Sequence, residues 1–368
     1  MVTLQPAGAL SEIEASWRAM TRAGRPSFFL SWPWIRTWLA CLPGSFAPQL
    51  MTIRQGALPI ALAVLVKSTL SRLGVIKSRS WVLNATGDER FDQIFTENNG
   101  LLVQEGYEAA SWRLWADSFL DEREDWDEIV LRGVPPEVLD AWRHPSVRLR
   151  QEMLLTSRYV DLDQIRRTGQ PFVRGLGKKT RAHVRETTAA FARHGPLSVE
   201  VARSAAEALV YFGELKALHQ QRWISRGVPG AFDYPFFEAF HTALIQHHYD
   251  EGVVQLLRVR AGERTVGVLY NFLHANEVLV YQTGSNYALV ESRNRHSPGL
   301  LTHVFAIEHN TALGYGRYDF LAGDSLYKQV LSNGSAQLWW GAVQRSRLRF
   351  RLEDGLKSGW RRVAARRA

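Results

Sequence analysis

The sequence predicts an α+β fold, and three observations carry the prediction. Val253 to Arg260, Thr265 to His274 and Glu277 to Gly284 read as an antiparallel meander closed by turns at Ala261-Gly262 and Ala275-Asn276. Ahead of it, Ala205 to Arg226 and Tyr234 to Tyr249 carry apolar residues every three or four positions, the spacing of one buried helical face. A mixture of short strands and helices fills the chain before His144-Pro145 and begins again after it. Two domains are therefore expected, over 1–150 and 151–345, followed by a basic tail over 346–368. With 368 residues and 46% hydrophobic content, the chain can bury a core in each. Helices packed on a mixed, largely antiparallel sheet are the expected architecture of both.

In chain order, Leu50 to Arg54 and Ile60 to Lys67 read as a hairpin turning at Gln55-Gly56, and Ser80 to Leu83 as a further strand. Tyr107 to Leu120 reads as a helix, with Trp112, Trp115 and Phe119 near one face. Glu128 to Leu131 is a strand, and Pro135-Pro136 opens a short helix through Trp142, since proline suits a first helical turn. Past the boundary come a strand at Leu154 to Leu162, a basic amphipathic helix at Lys178 to His194 and a strand at Leu197 to Val201. After the two long helices and the meander, the pattern predicts a helix from Pro298 to Leu313 and strands at Tyr318 to Leu321 and Leu338 to Gln344.

Composition excludes several classes. The longest apolar run, Leu58 to Val66, is interrupted by Pro59 and falls well short of the roughly 20 residues that span a bilayer. Met1 to Leu10 has no basic segment followed by an apolar stretch, so a cytoplasmic location is expected. A single cysteine, Cys41, allows no internal disulfide and no multi-cysteine metal site, and its apolar neighbours predict a small buried thiol. His241, His247, His248, His303 and His309 lack the spacing that sets paired ligands on one helical face, and no metal is expected. The net charge of +9 is concentrated late: residues 1–150 hold 16 Lys and Arg against 17 Asp and Glu, leaving 29 against 19 for the remainder. Two stretches hold the excess, Arg166 to His194 and Arg345 to Ala368. Such clusters attract phosphorylated ligands, nucleic acid or lipid headgroups, and the second suits peripheral membrane contact.

The chemistry-bearing segment follows the meander. A strand ending near Gly284 leads through a loop to His296-Ser297-Pro298-Gly299-Leu300-Leu301, where a helix opens. Free N–H groups and the positive end of the helix dipole favour an anion there. Ser297 suits the N-cap, Pro298 the first helical position, and Gly299 lets a ligand come close to the main chain. In the basic helix, Lys178, Arg181 and Arg185 share one face that can meet phosphates, and Trp223 can stack on a sugar.

The succession Tyr281-Gln282-Thr283-Gly284, Ser297-Pro298-Gly299, Gly314, Tyr318 to Asp324 and Tyr327-Lys328 resembles the carboxy-terminal domain of an acetyltransferase-like family that includes proteins named for cellulose biosynthesis. That family is similar to the Fem peptidyltransferases and has the fold of the Gcn5-related acetyltransferases (GNAT). The resemblance implies two tandem GNAT-like domains, the first degenerate. It implies acyl-donor binding at His296, Ser297, Gly299, Leu300 and Leu301, with His296 and Leu301 standing where the family's coenzyme A loop has Gln or Arg and a small residue. It implies an acceptor near Tyr281, Asp319, Asp324, Tyr327 and Lys328, with Lys178, Arg181, Arg185 and Trp223 binding substrate. The activity implied is transfer of an acyl group, acetyl above all, from acyl-CoA to an amine or hydroxyl in polysaccharide or cell-envelope synthesis, without a metal. Asp319 or Asp324 would serve as base, Tyr327 as acid, and Lys328 would neutralise a phosphate or polarise a carbonyl. Two other readings follow from the same likeness: an aminoacyl-tRNA donor, with tRNA on the basic helix, and a non-catalytic accessory protein of a polysaccharide synthase.

Overall fold

The structure, a computed structural model, describes residues 1–72, 76–289, 296–350 and 353. The basic tail expected over 346–368 therefore lies outside the described residues except at 346–350 and Glu353. Contacts divide the chain into two units: Met1–Leu154 with the segment from Leu338 onward, and Leu155–Gln337.

Unit 1 contains β1 (Val2–Pro6), α1 (Leu10–Ala23), α2 (Trp32–Cys41), β2 (Pro48–Gln55), β3 (Leu58–Arg72), β4 (Ile76–Leu83), α3 (Glu89–Asp92), β5 (Leu102–Val103), α4 (Glu108–Asp121) and β6 (Glu128–Val134). The strand β7 (Val147–Asp161) begins in unit 1 and ends in unit 2. Unit 2 continues with α5 (Leu162–Thr168), α6 (Phe172–Gly175), α7 (Lys178–Ala192), β8 (Leu197–Val201), α8 (Ala205–Ile224), α9 (Pro235–His248), β9 (Val254–Ala261), β10 (Arg264–His274), β11 (Glu277–Ser285), α10 (Pro298–Ala312), β12 (Arg317–Ala322) and α11 (Leu326–Leu331). The last strand, β13 (Gly334–Arg345), has its second half in unit 1.

The two units repeat one order of elements. Unit 1 runs strand, two helices, a three-strand antiparallel meander, then α4 and a strand, β6, that pairs parallel with the meander's last strand at Ser80–Val82 against Glu128–Val130. Unit 2 does the same with β8, α8, α9, β9–β11, α10 and β12, whose parallel pairing joins Glu277–Leu279 to Arg317–Asp319. A helical crossover is what a parallel pair requires, since a tight turn returns the chain antiparallel. In unit 1 the strand after β6 is the second half of β13, antiparallel to it over Trp339–Gln344; in unit 2 the strand beyond β12 is the end of β7, paired over Ser157–Asp161. This is the α+β architecture that the sequence predicts.

The hairpin at Gly56, the meander, and the helices at 178, 205, 235 and 298 stand where periodicity placed them, within a few residues at their ends. The segment opened by Pro135-Pro136 forms a 3₁₀ helix, Pro136–Trp142. Several elements went unread in sequence, among them β1, α1 and α2 at the start of the chain, the short α5 and α6, and α11, which is too short to show helical periodicity; β7 begins at Val147, well before Leu154, and Val147-Arg148-Leu149-Arg150 already alternates as a strand does.

The cores differ in material. Of the 13 tryptophans only Trp223 falls between Leu155 and Gln337, and unit 1 is filled by Trp81, Trp112, Trp115, Trp126, Trp142 and Trp339 around aliphatic strands. Unit 2 packs Val160, Leu257, Val259, Leu269, Leu301, Val304, Ile307 and Tyr318 between its sheet and α10. Cys41 is half-buried, and burial holds its thiol above the ordinary range, where it stays protonated.

Candidate active site

The parallel pair of unit 2 sets the site. β11 and β12 are bonded to each other over only three residues, after which Val280–Ser285 and Phe320–Ala322 have no cross-pairing between them. Both strands are irregular at that point. Tyr281 is an extra residue against β10, where the register passes from Tyr270–Gln282 to Asn271–Val280, and β12 slips against β7 between Asp319 and Ala322. Bulges of this kind bend a strand and end its pairing.

The bend in β12 is pinned by two residues that the sequence singles out. Leu321 has φ +59°, a conformation that costs a branched L-residue on the order of 1 kcal/mol or more and persists only where neighbours enforce it. Its N–H donates to Asp319 Oδ1 at 2.8 Å, and its carbonyl accepts from Lys328 Nζ at 2.9 Å. Lys328 also donates to the Ala322 carbonyl, and Ser157 Oγ donates to Asp319 Oδ1. Both side chains are buried. Burial raises the Asp319 pKa above the ordinary carboxylate range, against Arg317, whose guanidinium lies 3.5 Å from Oδ2.

Tyr327, at the start of α11, stacks on His303 of α10 with ring centroids 4.9 Å apart and planes within 9°. His303 Nδ1 lies 3.0 Å from the Tyr318 hydroxyl, and burial, with Lys328 nearby, lowers the imidazole to about 3, so it is neutral near pH 7. Burial pushes the Tyr327 phenol above its usual value, so it too carries its proton. Asp324 is exposed and accepts from Arg158 Nε at 2.6 Å; that bond keeps its carboxyl below the ordinary range and ionised.

At the mouth of α10, Ser297 Oγ accepts from Leu300 N, and Pro298 occupies the first turn as its fixed φ favours. Leu300 and Leu301 are buried, while His296, Ser297 and Gly299 are half-exposed. A Cβ on Gly299 would stand 2.9 Å from Ser285 Oγ, at the end of β11, so glycine is what lets the helix start and the strand end meet. The preceding loop, 290–295, lies outside the described residues.

The remaining sequence-predicted residues sit elsewhere in unit 2. Tyr281 bonds His241 through its hydroxyl at 3.0 Å in a buried aromatic group with Tyr270, Phe237 and Phe272. Trp223 lies between His219 and Arg226 near the end of α8. Lys178 and Arg185 are exposed on α7, whereas Arg181 donates to the carbonyls of Arg174 and Leu176 and so closes the end of α6. Sequence reasoning missed Ser285, Arg222, Tyr287, Ser157 and Arg158, and it weighed His303 only as a metal ligand. Ser285 directly follows Gly284 and was within reach of the motif; the arginines were not, because their partners are distant in sequence.

Among the described residues no cluster of metal-ligating side chains occurs, and no helix is long and apolar enough to cross a membrane.

Residues 178–329 match the family described as an acetyltransferase (GNAT) domain. FemX is similar in structure, with 12% identity, 93% of this chain and 96% of that chain covered, and TM-score 0.56. A conserved protein of unknown function from Bacteroides thetaiotaomicron covers 94% of this chain and 100% of its own at 11% identity and TM-score 0.55. The C-terminal domain of a putative lysylphosphatidylglycerol synthetase from Agrobacterium fabrum covers 95% of each at 12% identity and TM-score 0.52. At these identities the likeness is one of fold. No curated protein matches the chain by sequence.

Proposed function

We propose that unit 2 is an N-acyltransferase that moves an acyl group, acetyl in the first instance, from acyl-CoA to an amine on a polysaccharide or cell-envelope precursor. The observation that carries this reading is the divergence of β11 and β12 beyond a three-residue pairing, with the end of β11 at Ser285 meeting the capped mouth of α10 at Gly299. The edge of β11 past Leu279 offers main-chain groups to an amide-bearing donor chain, and the Gly299 N–H at the positive end of α10, where Leu300 N is taken by Ser297 Oγ and Leu301 N by the Ser297 carbonyl, suits a phosphate at the donor's end. His296 flanks that mouth and can add a donor to it.

In the transfer the amine nitrogen attacks the thioester carbon, a C–N bond forms, and the C–S bond breaks. The Tyr327 phenol protonates the departing thiolate; its raised pKa keeps that proton available near pH 7, and His303 beneath it holds the ring in place. The proton lost by the amine passes through water to Asp324, whose pairing with Arg158 makes it a relay more than a strong base. Asp319 and Lys328 act by fixing the Leu321 bend that sets the Asp324–Tyr327 segment. Isothermal titration with acetyl-CoA and longer acyl-CoAs tests the reading directly: heat is expected for the wild type and none for Gly299→Trp. Absence of heat with every acyl thioester would end it.

A further inference from the structure

We infer that a second, cationic cavity beside the divergence binds an anionic group, carboxylate or phosphate, on the acceptor. This inference rests on the acyl-transfer reading and names the class of acceptor. The cavity, about 300 Å³, is lined by Leu218, Gln221, Arg222, Ser225, Arg226, Ser285 and Tyr287.

Three observations point to an anion. Arg222 and Arg226 enter from the end of α8, and among the described residues no carboxylate pairs with either. Arg222 lies over the Tyr287 ring at 5.4 Å, and Arg226 over Trp223 at 5.8 Å, so aromatic faces aim both guanidinium groups while leaving their N–H donors for a ligand. Ser285 Oγ, on a residue only 4% exposed, has no hydrogen-bond partner among the described residues. A buried hydroxyl without a partner costs roughly 1–3 kcal/mol, a penalty that a bound oxyanion would remove.

Cations at a helix C-terminus are favoured by the dipole without any ligand, which accounts for the presence of the arginines. It does not account for the orphaned hydroxyl between them and the mouth of α10. Arg222 and Tyr287 both act electrostatically on the Tyr327 phenol, so a group held here would extend its other end toward the proposed acid. The volume fits a small amine with one anionic group. Unit 1 supplies the contrast: it has a larger cavity, about 700 Å³, but of the polar groups that line it Asn84 bonds Asn99 and the Gly100 carbonyl, and Asp92 accepts from the Thr86 and Gly87 N–H groups and from Arg132.

The test compares matched amines by isothermal titration into the full chain: ethanolamine as the neutral member, O-phosphoethanolamine for a phosphate, β-alanine for a carboxylate. The wild type is expected to bind one anionic amine at least about tenfold more tightly than ethanolamine, and which one identifies the source of the charge. Arg222→Met and Arg226→Met, both at a solvent-facing helix end and checked for unchanged Tm, should each remove most of that preference. Ser285→Ala should weaken the same amine severalfold. Acetyl-CoA should bind all three variants as it binds the wild type. Equal affinity for all three amines, an unchanged preference in Arg222→Met, or loss of acetyl-CoA binding in the arginine variants would overturn the inference, the last by assigning the cavity to the donor. A wild type that discriminates the amines but gives no heat with acyl-CoA would leave the anion site standing and remove the acyltransferase reading alone.

Discussion

Units 1 and 2 follow one order of elements but differ at the point where their parallel strands part. In unit 1, β4 ends at Leu83, one residue past its pairing with β6, and the chain beyond it is tied down. Asn84 takes the Val64 N–H and donates to Asn99 and Gly100, and Asp92 takes the Thr86 and Gly87 N–H groups and pairs with Arg132. In unit 2, β11 runs on from Val280 to Ser285 without pairing to β12, and the Ser285 hydroxyl at its end has no partner among the described residues. The same topology thus yields a self-satisfied end in one unit and an unsatisfied one in the other. Buried polar groups are nearly always bonded, so a ligand site is to be sought where that accounting fails.

The comparison breaks if the two ends respond alike. The largest effect should come from Gly299→Trp, which fills the contact with Ser285 Oγ and should abolish acyl-CoA binding in titration; Glu108→Ala, at the opening of unit 1's α4, should leave that binding unchanged. Next, Asp127→Ala should lower unfolding free energy by about 2 kcal/mol in urea titrations, because the buried carboxylate accepts the Arg79 N–H and guanidinium and pairs with Arg347 and Arg349, and those charge-assisted bonds are lost while the arginines stay solvated. Acyl-CoA affinity measured below the transition should not change, since that ion cluster belongs to unit 1. Tyr327→Phe should reduce kcat about 100-fold with KM nearly unchanged, the signature of a lost acid, and a proportional rise in KM would instead mark a binding role.

The smallest effect concerns pH. In unit 2, burial lowers His303 to about 3, His219 to about 4, and His241 well below its usual value. The unfolded chain binds these protons first, so their contribution to stability is complete above about pH 6.5 and falls as pH drops toward the folded values. His303 alone should contribute a loss of about 2 kcal/mol at pH 5. In unit 1, burial pushes Asp127 and Glu128 up, but bonds to Arg79 and Arg72 outweigh it and hold both below the carboxylate range. Their contribution survives to about pH 4 and is lost only as pH falls further. Hydrogen exchange at pH 5 should therefore quicken in β10, β11 and α10 before β3, β4 and β6; equal quickening would show that buried histidine does not set the acid limit.

Much of this molecule was legible from local pattern. The meander at 254–285, the basic helix at 178, and the mouth of α10 at Ser297-Pro298-Gly299 were readable because turn glycines, helical spacing and capping residues act over a few positions. Asp319, Tyr327 and Lys328, which the sequence singles out, gather at one end of β12. Their partners were not readable: Ser157, Arg158 and Arg222 come from elements more than 100 residues away in the chain. No period or motif couples such distant positions.

Local chemistry in the chain therefore determined which segments become helix or strand, that the elements form an α+β pair of units, and where α10 is capped at Ser297-Pro298. The tertiary structure alone decided that Asp319 and Lys328 grip a bend, that Asp324 faces Arg158, and that Ser285 is left with an empty lone pair beside two arginines. The reason is physical: propensity and capping depend on neighbours within about four residues, whereas burial, pKa and unmet hydrogen bonds depend on whatever the folded chain brings alongside.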